Sequence, residues 1–250
     1  MNRFRIISIV CTVIFLFSMY NVYNSLYDSY KNKQLYTSIQ TEFIAHMNDI
    51  QTSASDDVLP LEETRSIMDK FLPLLEKNED TVGWITIPNT QVDYPIVKKE
   101  DNDFYLHHNF EGERSNGGTI FMDFRNIGDG TDRHTILYGH NMRDGTMFQG
   151  LMKYKQSDFF SDNQMITFYT LYEETKWEIF SAYVTDTNYY YIPTRFRSKR
   201  DYLDFLEGIQ GKSLFQSEIE FTDEDKILTL STCSYEFLDA RFVVHARKVN

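Results

Sequence analysis

Three hydrophobic rhythms follow one another along the chain. Residues 6–22 form a predominantly apolar run, near the lower length limit for crossing a bilayer core. Arg3 and Arg5 precede it, and cationic flanks stay on the cytoplasmic side. This predicts a short cytoplasmic N-terminus over 1–5, a membrane anchor over 6–22 and everything after it outside. Bulky Tyr20, Tyr23, Leu26 and Tyr27 stand where a signal-peptidase site needs small residues, so the anchor reads as uncleaved. Apolar residues then recur at helical intervals, at Leu26, Tyr30, Leu35, Ile39, Phe43 and Met47. A polar stretch over 51–57 predicts a loop. A second helix is expected over 61–77, burying Ile67, Met68, Phe71 and Leu74 or Leu75, and kinked or divided by Pro73. Residues 23–80 thus read as a helical stalk with N-terminal helices, and 81–250 as the main domain.

From about residue 82 the rhythm shortens to that of strands. Strands are expected over 83–87, 92–97, 118–123, 134–138, 165–172, 176–185, 227–233 and 241–247, with turns at Pro88-Asn89 and Gly128-Asp129-Gly130. Short helical segments fit 103–110 and 147–154. A longer helix over 198–209 presents Tyr202, Phe205 and Leu206 on one face. About eight short strands with mixed connections, one helix inserted before the last pair and no βαβ rhythm predict a mainly β fold. Its form is a closed or half-closed barrel with added helices.

The last two strands have a distinctive alternation. Leu228 and Leu230 share one face, and Thr229, Ser231 and Cys233 the other. In the final strand Phe242, Val244 and Ala246 face inward, while Arg241, Val243, His245 and Arg247 face out. The outer face is expected to be accessible, so pairing of the two strands would set a thiol beside a guanidinium at one sheet end.

Composition narrows the chemistry. A net charge of −12 disfavours a nucleic-acid partner. Of the two cysteines, Cys11 lies within the apolar run, which leaves Cys233 as the only thiol of the main domain and excludes a disulfide framework. A lone thiol is either a buried, inert side chain or a nucleophile. A nucleophile needs a base, and six histidines compete. His46 falls in the N-terminal helices, His107 and His108 in a segment suited to local hydrogen bonding, and His134 at a strand start. His245 sits about 13 Å along the strand from Arg241. His140 ends a strand beside Gly139, as Cys233 ends its own, and so leads the candidates. Arg241 serves either as an anion-holding group or as a surface partner of Asp239 or Glu236. A zinc site from Cys233, His140 and His245 has the wrong ligand spacing. The Asp101/Asp103 and Asp129/Asp132 clusters lack a calcium-loop pattern and read as turns.

Tyr-Gly-His-Asn-Met at 138–142, Thr-Leu-Ser-Thr-Cys at 229–233 and the arginine opening the last strand resemble the signature of sortases, the membrane-anchored cysteine transpeptidases of Gram-positive envelopes. Val-Gly-Trp-Ile-Thr-Ile-Pro at 82–88, Asp-Tyr-Pro-Ile-Val at 93–97, Asn-Asp-Phe-Tyr-Leu-His-His-Asn-Phe at 102–110 and the inserted helix resemble class B in particular. The resemblance runs from about residue 61 to the C-terminus. It implies Cys233 as nucleophile, His140 as general acid and base, and Arg241 as the group holding substrate and oxyanion. It implies substrate contacts at Asn102, Leu106, Thr187, Tyr191, Ile192 and Ser231, although Tyr189 to Ile192 equally suits a packed aromatic cluster. The implied reaction cleaves an Asn-Pro-x-Thr-x-like sorting motif after threonine and passes the acyl group to a peptidoglycan amine, with no metal or organic cofactor. A cysteine peptidase that releases the free acid, and a membrane-tethered binding module with a buried Cys233, are the alternatives.

Overall fold

The structure is a computed structural model that describes residues 3–53, 65–237 and 239–249. Helix α1 (Arg3–Ser53) runs without a break from the apolar segment into the domain. Its first part is exposed throughout, and it is long and apolar enough to cross a membrane. The buried stripe of its second part is Asn32, Tyr36, Ile39 and Phe43, a period that follows the helix turn. Leu26 and Tyr30, expected on that stripe, are exposed. They precede the point where the helix meets the barrel, so they have no surface to pack on. Docking begins at Asp28 and Ser29, whose carboxylate and hydroxyl meet the Asn116 amide and Asp144. Further along, Phe43 stacks on Trp84, with ring centroids 4.0 Å apart.

The predicted loop over 51–57 is helical through residue 53, and the remainder lies outside the described residues. The predicted helix over 61–77 also begins outside them. Its described part is irregular over 65–68, and α2 (Leu72–Lys77) carries Pro73 in its first turn. Proline there lacks only an amide that no helical carbonyl would accept, so it starts the helix rather than kinking it.

Eight strands close a barrel in the order β1-β2-β3-β4-β7-β8-β6-β5. They are β1 (Thr81–Thr86), β2 (Asp93–Val97), β3 (Ile120–Met122), β4 (His134–Tyr138), β5 (Met165–Thr170), β6 (Glu174–Thr185), β7 (Ile227–Cys233) and β8 (Arg241–Lys248). Pairs β2–β3 and β4–β7 are parallel; the other neighbours are antiparallel. Helix α3 (Ser157–Asp162) follows a 3-10 segment over Phe148–Lys155, and α4 (Lys199–Gly211) lies between β6 and β7. Ser198 caps α4 by accepting from the Asp201 amide.

Leu228, Leu230, Phe242, Val244 and Ala246 join the barrel core, as their alternation implies. Most of the opposite face is covered, and of its residues from Thr229 to His245 only Cys233 and Arg241, at one end, stay half-buried. Tyr202, Leu206 and Ile209 of α4 pack with Phe180, Tyr183, Ile227 and Val243 over it. The reason is tertiary: the inserted helix has an apolar face and needs a sheet to cover.

Strand pairing also demands one missing side chain. A Cβ on Gly83 would stand 2.2 Å from the Tyr169 carbonyl oxygen across the β1–β5 pair. The obstacle is backbone, which cannot swing aside. Gly83→Ala is expected to lower stability by about 1–3 kcal/mol, measured by urea unfolding of the domain; an unchanged midpoint would mean that β1 and β5 separate at little cost.

Candidate functional site

Three neighbouring strands end together. In the β7–β8 ladder Cys233 lies opposite Arg241. In the parallel β4–β7 ladder Tyr138 lies opposite Ser231, and the Gly139 amide still donates to the Ser231 carbonyl at 3.2 Å. Continuing that register by two residues sets His140 level with Cys233. The Asn141 side-chain amide then donates to the Cys233 carbonyl at 3.1 Å, tying the two strand ends together. Thr185, the last residue of β6, lies opposite Arg241 on its other side. His140, Cys233, Arg241 and Thr185 thus form one row across four adjacent strands, each of the first three half-buried.

The His140 ring is oriented from below the row. Its Nε2 lies 2.7 Å from the Leu106 carbonyl. A carbonyl only accepts, so Nε2 carries hydrogen and Nδ1 is the nitrogen left for proton exchange in the neutral ring. Arg241 donates to the Ala240 carbonyl at 3.1 Å and has no ion pair among the described residues. Of the surface partners considered for it, Glu236 binds Lys155 and Ser234 instead, and Asp239 has no ion pair among the described residues. Its remaining N–H groups are available to a ligand.

Two walls reach the row, one through the Leu106 carbonyl at His140 and the other through Thr185 beside Arg241. One carries Asn102 and Leu106; the other is the loop from Thr185 to Ser198, with Thr187 exposed and Ile192 half-buried. Tyr191 and Ser231 pack against each other. The Tyr191 hydroxyl lies 2.8 Å from the Ser231 Oγ, and both residues are buried. Ser231 is therefore covered by Tyr191 and does not line an open face. The aromatic run divides: Tyr191 packs into the α4 cluster, Tyr189 leans on it and Tyr190 is exposed.

Both walls converge on an ion pair that the sequence did not single out, between buried Asp123 and half-buried Arg125. Asp123, wholly buried, accepts from Arg125 Nε at 2.7 Å, Tyr138 at 2.8 Å and the Asn102 amide at 3.1 Å. Arg125 reaches the Tyr190 hydroxyl and the Ile192 carbonyl, each at 3.0 Å. Burial pushes the Asp123 carboxyl up, but the Arg125 guanidinium and amide and the Tyr138 hydroxyl outweigh it, and the net shift is down. The charge is retained, and one carboxylate holds both walls.

A second network fixes the next residue of the loop. His134 Nδ1 lies 2.7 Å from the Pro193 carbonyl and its Nε2 2.6 Å from Thr229 Oγ1; that hydroxyl is 2.7 Å from His245 Nδ1, and His245 Nε2 is 2.9 Å from the Tyr183 hydroxyl. The terminal carbonyl dictates every proton. His134 must donate from Nδ1, so its Nε2 accepts from Thr229. Thr229 in turn accepts from His245 Nδ1, whose Nε2 accepts from Tyr183. His245, a member of the rejected zinc set, is thus fully engaged away from Cys233. The aspartate clusters serve as turns: Asp101 accepts from the Asp103 and Phe104 amides, and Asp132 from those of Ile127 and Gly128. Among the described residues no three His, Cys, Asp or Glu side chains gather as a metal site.

A closed mixed barrel that ends in a half-buried thiol, an imidazole and a free guanidinium defines a class of cysteine-nucleophile enzymes. Comparison with known proteins gives the family. The Sortase domain model matches residues 85–249. Sortase B of Listeria monocytogenes is 34% identical over 245 residues, covering 97% of this chain and 95% of that protein. Sortase B of Staphylococcus aureus is 33% identical over 250 residues, covering 99% and 97%. Among solved structures, the Staphylococcus aureus sortase B–substrate complex superposes with a TM-score of 0.79 at 33% identity, covering 89% of this chain and 98% of that one. Sortase B from Bacillus anthracis in complex with AAEK1 superposes at 0.76 and 40%, covering 89% and 98%. The chain belongs to the sortase family, and within it to class B; it is a sortase B-type cysteine transpeptidase acting on sorting-signal substrates.

The histidine relay has a measurable consequence. Burial holds the His134 imidazole down at about 4 and His245 well below its ordinary value. An unfolded histidine titrates near 6.5, so below that pH the unfolded chain binds protons that the folded one refuses. Stability is whole above about pH 6.5 and falls as pH drops toward 4, by about 3 kcal/mol for His134. Urea titrations between pH 7 and 4 should show this loss, and nitrogen NMR at pH 7 should show both rings protonated at Nδ1. A ring protonated at Nε2 would refute the proton order.

Proposed function

We propose that Cys233, His140 and Arg241 carry the reaction and that the groove between Asn102 and Ile192 receives a sorting peptide of Asn-Pro-x-Thr-x type. One observation supports this above others: the strand register that sets the three side chains in a single row. Cys233 passes its thiol proton to His140 Nδ1 as Sγ attacks the threonine carbonyl. Arg241 donates to the oxygen as it becomes negative, where a two-pronged guanidinium outperforms an ammonium. His140 gives its proton to the leaving amine as the C–N bond breaks, leaving a thioester. An incoming amine of peptidoglycan precursor or cross-bridge attacks the thioester and loses a proton to His140, which returns it to the departing sulfur, so that Cys233 is released as the thiol and His140 as the neutral ring. The step needs no cofactor. Asn102, Leu106, Thr187 and Ile192 serve as groove contacts, and Tyr191 with Ser231 as support beneath them.

In this reading residues 1–5 are cytoplasmic, 6–22 span the membrane, 23–80 form the stalk and N-terminal helices, and 81–250 are the extracellular catalytic domain. Because α1 is continuous, Ser29 lies about 10 Å beyond Val22 at 1.5 Å per residue. Its bond to Asp144 then holds the loop after His140 close to the bilayer, where a lipid-linked amine would be presented.

The test uses the domain with x-Pro-x-Thr-x peptides, with and without an added amine, read by mass spectrometry. Cys233→Ala is expected to abolish cleavage. His140→Ala should reduce it about 10²–10⁴-fold and Arg241→Lys on the order of 10²-fold. The amine should appear in the product. Free acid alone at every amine concentration would indicate a peptidase, and cleavage surviving Cys233→Ala would refute the assignment.

A further inference from the structure

The groove does not stop at Ile192, and β7 provides a ruler along it. Tyr191 meets Ser231, two residues before Cys233; Pro193 is joined through His134 to Thr229, four residues before it. At about 3.3 Å per residue these levels are about 7 and 13 Å from the thiol. An extended peptide with its threonine carbonyl at Cys233 uses about four residues to reach the level of Pro193, which is the length of the motif up to the scissile bond.

At that level a concavity of about 500 Å³ opens, lined by Phe124, Arg125, Tyr190, Pro193, Thr194 and Arg195. Its sides continue the groove walls: the Phe124 amide donates to the Asn102 side chain at 3.0 Å, and Arg125 holds Tyr190 and Ile192. Phe124 and Tyr190 are 46% and 61% exposed, so two aromatic rings meet water in one hollow. Arg125 is neutralised by Asp123. Arg195 and Arg197 are exposed, and neither has an ion-pair partner among the described residues, whereas Lys199 and Arg200 pair with Asp223 and Asp204. The hollow therefore carries positive charge from Arg195 at its rim, with Arg197 two residues on, in a chain of net charge −12.

We propose that this concavity is an upstream subsite that takes the one or two residues of the sorting signal preceding the recognition motif, and that it favours acidic and aromatic side chains there. A carboxylate meets Arg195, and a ring stacks on Phe124 or Tyr190. The subsite rests on the transpeptidase reading with the peptide running from Cys233 toward Asn102.

The experiment keeps one cleaved motif peptide constant and varies two residues in front of it: Asp-Glu, Phe-Asp, Gly-Gly or Lys-Lys. The wild type is expected to show a kcat/KM about two- to five-fold higher for the acidic prefixes than for Lys-Lys at low salt. That ratio should shrink toward one at about 0.5 M salt, where exposed charges are screened. Arg195→Glu should invert the order. Arg200→Glu, a charge reversal on α4 outside the hollow, should keep it. Equal efficiency across prefixes, or a preference for Asp-Glu over Lys-Lys that survives Arg195→Glu or high salt, would overturn the subsite while leaving the transpeptidase reading intact. Failure of the wild type to cleave any of the peptides would bring down both.

Discussion

The site depends on hydrogen-bond register in the β4–β7–β8 ladder. None of His140, Cys233 and Arg241 has a side-chain bond to another of the three among the described residues; what brings them level is where each strand ends. Register in a sheet is discrete. A slip of one residue would turn Cys233 to the opposite face and take it out of the row. The two cores lock the register from both sides, because Leu228 and Leu230 fill the barrel while Ile227 and Val243 pack under α4.

Burying both faces of β7 creates a polar problem, since Thr229, Ser231 and His245 then lie away from water. Unpaired, each would cost stability. The fold answers by joining them to the loop after β6: Ser231 to Tyr191, and Thr229 through His134 to Pro193. Three successive loop residues, Tyr191, Ile192 and Pro193, are therefore held at fixed levels along the strand that bears the thiol. A polar interior becomes a positioning device for the groove wall.

The Asp123–Arg125 pair plays the same part across the groove. A buried ion pair is poor evidence for net stability, because desolvation offsets the attraction. Its value here is geometric. Asp123 is bonded to Asn102 on one wall and Tyr138 on β4, and Arg125 to Ile192 on the other wall. The spacing between the two walls is thus set by one carboxylate and one guanidinium at the end of β3.

The eight strands, the helix before the last pair and the strand-end positions of His140 and Cys233 were legible in the sequence, because alternation and turn residues are local properties. So was the apolar segment at the N-terminus, since its length and composition are read without knowing what it touches. The relay of Tyr183, His245, Thr229 and His134 was not legible. Its members are far apart in sequence and looked like ordinary residues of an exposed face; only α4 folding over β6, β8 and β7 makes that face an interior. Asp123 and Arg125 were hidden for the same reason, since a carboxylate two residues from an arginine is unremarkable until burial makes its partners obligatory. The point where the long N-terminal helix begins to dock, at Asp28, was likewise decided by tertiary contact. Local patterning decided which segments become strands and helices. Packing decided which polar side chains must find each other, and hence the shape of the groove.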